Sequence, residues 1–162
     1  MTATFDAGRK SIVRPLLLSH GTLACRDLAA SRRFYEEFLG LEVVRHARPA
    51  MMLRLNSGMY VVCVCIGEKV PSQHLMAHWG INVASRDEVD RAHAAAHELK
   101  EKYGIRQIRN VLDRHGAYAF YVQDRDNNWW EIQYEERTIN HFFNRGDIVD
   151  MGVVELDSEP QG

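Results

Sequence analysis

The sequence predicts an α+β fold: two tandem βαβββ modules whose sheets form a half-open β-cup with the helices outside. Three observations carry this expectation. Short runs of alternating apolar and polar residues, the pattern of half-buried strands, fill much of residues 16–135. Two stretches, 28–39 and 86–103, instead place apolar residues at helical spacing behind a capping side chain. The order also repeats. His20 precedes the cap Asp27 by seven residues and His78 precedes the cap Ser85 by seven, an offset of 58 residues at both points. Self-similarity of this kind reads as one supersecondary unit used twice.

Residues 1–15 read as a flexible lead. The first module, 16–67, opens with a strand over 16–25 that puts His20, Thr22 and Ala24 on one face. Asp27 caps a helix over 28–39, striped by Leu28, Tyr35, Phe38 and Leu39 and ended by Gly40. Extended segments follow at 41–46, 51–56 and 59–66. Residues 68–77, with Pro71 and Ser72, read as a linker. The second module, 78–135, opens with a strand over 78–84. Ser85 and Glu88 form a capping box for a helix that runs to Tyr103, with Val89, Ala92, Ala96 and Leu99 inward and Gly104 closing it. His93 and His97, at i, i+4, read as its solvated face. One more strand covers 105–112, and a hairpin covers 114–135, with Asp124-Arg125-Asp126-Asn127-Asn128 as its turn. On this hairpin Tyr118, Phe120, Val122, Trp130, Ile132 and Tyr134 form an apolar face. His115, Ala117, Ala119, Tyr121 and Gln123 share the other with Trp129, Glu131 and Gln133. Residues 136–162 read as a tail.

A net charge of −2 with no basic block gives nucleic acid and anionic membranes no footing. The apolar run Leu16–Leu18 is too short for a membrane span or signal core. Cys25, Cys63 and Cys65 form no C-x-x-C pair and read as reduced core thiols, which points to the cytoplasm.

The repeat places His20 and His78 at equivalent positions on the cup side, and Glu131 lies on a strand expected to border the centre. Two histidines and one carboxylate with open positions suit a divalent metal, above all non-heme Fe(II) working with dioxygen. The slot matching Glu131 in the first half falls at Val61–Val62, which offers no ligand.

These positions, within the doubled βαβββ pattern, resemble the vicinal oxygen chelate superfamily. It includes glyoxalase I, methylmalonyl-CoA epimerase, fosfomycin- and bleomycin-resistance proteins, and type I extradiol dioxygenases. The stretch Asp124 to Glu131 resembles that family's last hairpin, which ends in its metal-binding Glu. Arg114-His115, Phe120-Tyr121, Asp124 and Glu131 are similar to the extradiol signature, with a shorter His-to-Tyr spacing and Arg125 where a proline is usual. The resemblance implies an Fe(II)-dependent, ring-cleaving enzyme acting on a catechol. His115 would be its acid/base, Tyr121 would bond the substrate oxygen, and His20, His78 and Glu131 would hold iron, or Mn(II). With one pair of modules, the chain looks like the small enzymes that cleave L-DOPA in natural-product pathways. A substrate carboxylate would call on Arg109 or Arg54, and His74 is a candidate second base. Three alternatives stay open: a glyoxalase- or epimerase-type lyase or isomerase, a fosfomycin-type thiol transferase, and a metal-free drug-binding protein. The modules can pair within a chain or swap between chains, so a homo-oligomer stays open as well.

Overall fold

A computed structural model describes residues 12, 17–56, 58–114, 116–137 and 143–144. The lead (save Ile12) and most of the tail therefore lie outside the described residues, as does His115. The elements run β1 (His20–Cys25), α1 (Leu28–Arg33), β2 (Glu42–Ala47), β3 (Ala50–Arg54), β4 (Tyr60–Cys65), β5 (His78–Asn82), α2 (Arg86–Glu98), α3 (Lys100–Tyr103), β6 (Gln107–Ile108), β7 (Leu112–Arg114), β8 (Ala117–Gln123) and β9 (Trp129–Glu135).

Two sheets result. The first has the order β1-β4-β3-β2; the second has β5-β9-β8-β6, with β7 also on β8. In each, the opening strand pairs in parallel with the module's last strand, β1 with β4 and β5 with β9. Both opening strands are sheet edges. The architecture is the α+β arrangement expected, with open sheets that do not close into a barrel.

The helices begin where capping chemistry starts them. The Asp27 carboxylate accepts from Ala30 N at 2.7 Å, and Ser85 Oγ accepts from Glu88 N at 3.2 Å. The first helix does not stay α-helical to Leu39. From Phe34 to Phe38 it widens into a π-helical turn, and Leu39 N donates to Phe34 O. The wider turn lets the neighbours Phe34 and Tyr35 both lie fully buried. The second helix breaks at Leu99, resumes as α3 and ends on Gly104 in the left-handed region.

One core joins the two modules. Leu23, Cys25, Phe34, Tyr35, Met51 and Cys63 from the first half belong to the same buried cluster as Val89, Phe120, Val122 and Trp130 from the second. The Tyr35 ring lies 5.6 Å from the Trp130 ring. A Cβ at Gly21 would meet the Trp79 indole at 1.8 Å, so β1 accepts that ring only because residue 21 is glycine. Each sheet thus turns one face to the shared core and leaves the other open.

Three expectations need correction. The strand expected over 105–112 is two short pieces, β6 and β7, separated at Arg109–Val111. The hairpin strand expected from residue 114 begins at Ala117. Arg114 ends β7 and pairs with Ala117, and Gly116 at φ 86 makes the reversal. His115, expected to share a strand face with Tyr121, lies outside the described residues. His93 is also no solvated residue: its ring packs 5.0 Å from Phe120, and its Nε2 bonds the Arg109 carbonyl at 3.1 Å.

Candidate metal centre

The open face of the second sheet gathers three of the expected residues. Glu131 on β9 lies between Gly80 on β5 and Tyr121 on β8, all in register. His78, two residues before Gly80, brings its Nε2 to 3.3 Å from Glu131 Oε2. The His78 and Tyr121 rings meet edge to face at 5.1 Å. All three side chains are partly buried.

The histidine's tautomer is set from behind. His78 Nδ1 lies 2.8 Å from the Leu75 carbonyl, which can only accept, so Nδ1 carries the proton. In its neutral form the ring points a lone pair from Nε2 at a carboxylate oxygen. Two acceptors at that separation need a positive charge on or between them, either a proton on the imidazole or a metal ion. The donor set therefore fits a divalent cation. Tyr121 closes the group. Burial, then its hydrogen bond to Glu131 and that residue's negative charge, push its phenol above the usual tyrosine range, so it stays a donor at working pH.

His20 does not join them. It stands exposed on the other sheet, stacked on Tyr60 at 5.2 Å, with Nδ1 2.9 Å from Ser19 Oγ. Among the described residues no three His, Cys, Asp or Glu side chains come close enough to hold a metal ion. Register does specify the empty slot. Val62 pairs with Thr22, two residues beyond His20, just as Glu131 pairs with Gly80, two beyond His78.

Of the residues considered for substrate, Arg109 touches the strands that carry Tyr121 and Glu131. Its backbone N donates to Tyr121 O at 2.8 Å, and its guanidinium lies 5.7 Å from the Trp129 ring centre on the same open face. Arg54 is on the first sheet, paired with Glu42 through two hydrogen bonds. His74 is exposed, and its Nδ1 accepts from Met76 N within its own turn.

A model of the Glyoxalase/Bleomycin resistance protein/Dioxygenase superfamily matches residues 17–132. The chain belongs to that superfamily. No curated protein gives a significant match. Solved structures of the superfamily's fold do. The fosfomycin resistance protein FosX from Mesorhizobium loti is 22% identical, with 76% of this chain and 94% of that chain covered and a TM-score of 0.55. The oxidase ChaP-H2 is 22% identical, with 73% and 92% covered and a TM-score of 0.57. A glyoxalase/bleomycin resistance protein/dioxygenase from Alicyclobacillus acidocaldarius is 22% identical, with 73% and 90% covered and a TM-score of 0.53. At these identities the likeness shows the fold.

Sequence reasoning missed what lies under this superfamily hairpin. Its turn is buried. The Asp124 carboxylate accepts from Asn128 N, Asp126 N, the Asn128 amide, the Trp130 indole and the Tyr35 hydroxyl. Asp126 accepts from Arg26 N at 2.8 Å and from Ser31 Oγ at 2.5 Å. The segment 71–77 packs here too: the Asn127 amide reaches Pro71 O, and the Trp129 indole reaches Gln73 O. Five polar residues in a row were the available signal, but their partners Arg26, Ser31 and Tyr35 lie 89 to 100 residues away.

Proposed function

We propose that this protein is an Fe(II)-dependent extradiol dioxygenase that cleaves a catechol ring. The observation that carries the reading is the Tyr121–Glu131–His78 group, a metal-ready carboxylate and imidazole with a protonated phenol beside them. His78, Glu131 and His20 would hold the metal. Because His20 stands on the first sheet and does not gather with the pair, the centre would form between two copies of the chain, His20 from one and the pair from the other. Fe(II) bound there would let electrons pass from a chelated catechol to dioxygen.

The chain's own residues account for the rest. Two neutral imidazoles and one carboxylate leave the iron a single net positive charge, which favours a deprotonated catechol. Leu75 O keeps the proton on Nδ1 and leaves Nε2 of His78 free to ligate. Tyr121 stays protonated, and its one O–H, given to Glu131 here, can turn to a substrate oxygen once Glu131 ligates the metal. The extradiol resemblance gives His115 the acid/base role. Arg109 and Trp129 border the group from β9 and the loop after β6. Among the described residues no helix is long and apolar enough to cross a membrane.

The test is anaerobic loading with Fe(II), then exposure to catechols in air with oxygen uptake followed. One oxygen consumed per yellow ring-opened product, lost in His78→Ala and Glu131→Ala, is the expected outcome. Tight metal binding without uptake would favour a lyase, an isomerase or a thiol transferase. No metal binding would leave the drug-binding reading.

A further inference from the structure

The segment 71–77 lies between Lys69 and β5, outside any helix or strand. Its exposure alternates: Gln73 and Leu75 are half-buried, while Ser72, His74 and Met76 are exposed. A chain with no ladder of its own keeps its place through whatever its polar groups bond. Here three consecutive residues of the hairpin reach it. The Asn127 amide donates to Pro71 O at 3.2 Å, the Gln73 amide donates to Asn128 Oδ1 at 3.2 Å, and the Trp129 indole N–H donates to Gln73 O at 3.1 Å.

The base of this clamp is fixed. Asn128 is fully buried, and its amide N–H groups go to Ala24 O at 3.0 Å and to the Asp124 carboxylate at 2.9 Å, so its oxygen is left to face Gln73. Trp129 is buried and pairs in register with His78. Just beyond Gln73 the segment makes a turn, in which Ala77 N donates to His74 O at 2.9 Å and Met76 N to His74 Nδ1 at 3.2 Å. Inside that turn stands Leu75, whose carbonyl accepts from His78 Nδ1 at 2.8 Å. The turn that aims this carbonyl thus begins one residue after the point where the indole pins the chain.

The Leu75 carbonyl has a rival. On the other side of the ring Glu131 Oε2 lies 3.3 Å from Nε2, and a carboxylate accepts more strongly than a neutral carbonyl. A neutral imidazole has one proton to give, and the bond made by one nitrogen decides what the other carries. With the proton on Nδ1, Nε2 and Glu131 both keep lone pairs for a metal. With the proton on Nε2, the two ligands satisfy each other and are closed to it. We propose that Trp129 and Gln73 are positioning residues for the metal centre: they hold the segment 71–77 where Leu75 O keeps the proton on Nδ1. The proposal rests on the metal reading of His78 and Glu131 and is independent of which substrate the metal meets.

The test uses the full chain, isotope-labelled at the histidine nitrogens and free of metal, at about pH 9, above the ordinary histidine value. A long-range proton–nitrogen spectrum tells the two tautomers apart, and His78→Ala identifies the signal. The wild type is expected to carry the proton on Nδ1. Trp129→Phe, which keeps a ring but loses the N–H, and Gln73→Ala should move it to Nε2. Titrated anaerobically with Fe(II), both should bind about 10- to 100-fold more weakly than the wild type, the usual cost of losing a partner behind a metal-binding histidine. Trp130→Phe is the matched control. Its indole donates to Asp124 Oδ2 at 3.3 Å on the core side, so the loss should disturb the hairpin while leaving tautomer and affinity as in the wild type. If Trp129→Phe does not fold, Gln73→Ala carries both readouts. An unmoved proton in both variants, Fe(II) affinity equal to the wild type, or an equal loss in Trp130→Phe each overturns the role and leaves the metal reading standing. A wild type that binds no Fe(II) overturns both.

Discussion

At the scale of single residues, the chemistry turns on which atom carries a proton. A backbone carbonyl decides it for His78; burial, and then the neighbouring Glu131 carboxylate, decides it for Tyr121. Replacing Tyr121 with Phe should leave metal affinity nearly unchanged, because Glu131 keeps both oxygens. Turnover should fall by about a hundredfold, the usual range for losing a positioned proton donor. Metal titration beside oxygen-uptake kinetics separates the two effects. Because the phenol is pushed upward, its ionisation should put no alkaline limb on the rate below about pH 10, the ordinary tyrosine value; a pH–rate profile of the wild type checks this. Glu131 and Tyr121 could be picked out from sequence because strand alternation names a face. The start of the Tyr121 strand at Ala117 was not legible, since the reversal at Gly116 depends on a positive φ that alternating Ala and Tyr do not announce.

At the scale of elements, the β8–β9 turn is the piece whose role exceeds its appearance. Burial pushes Asp124 up to about 6, with the Asp126 charge adding to the shift and hydrogen bonds from Asn128 opposing it. A carboxyl whose folded pKa lies above its unfolded value binds protons more tightly when folded. Its contribution to stability therefore rises as pH falls from about 6 to about 4, by on the order of 3 kcal/mol. Asp124→Asn should remove that rise. The wild type's urea midpoint should rise relative to the variant's between pH 7 and pH 4; parallel curves would show that Asp124 does not titrate there. The strands were legible because period 2 is local, and the helix starts because caps are local. The burial of this turn was not, since Arg26, Ser31 and Tyr35 reach it from the far side of the chain.

At the scale of the whole molecule, the repeat was readable from spacing alone, and it correctly assigned His20, His78 and Glu131 to open faces. Spacing could not say whether two open faces in one chain meet. Here the modules share a core through Tyr35 and Trp130, and the triad stays divided. A centre built between copies makes a sharp prediction. His20→Ala alone and Glu131→Ala alone should each be inactive, yet mixing the two after mild unfolding should restore metal binding and oxygen uptake in mixed pairs. A centre built within one chain would stay dead on mixing.

The slot at Val62 has a consequence for how such a chain diverges. Equivalent positions that face the core stay apolar in both halves: Leu23 answers to Ile81, Met51 to Phe120, Leu53 to Val122 and Cys63 to Ile132. On the open faces the same comparison sets valine against glutamate, methionine against tyrosine, and the Arg54–Glu42 ion pair against the amides of Gln123 and Gln107. The two halves thus keep the same strands and the same inward residues while their outward chemistry differs, and of the two equivalent slots only the second holds a carboxylate.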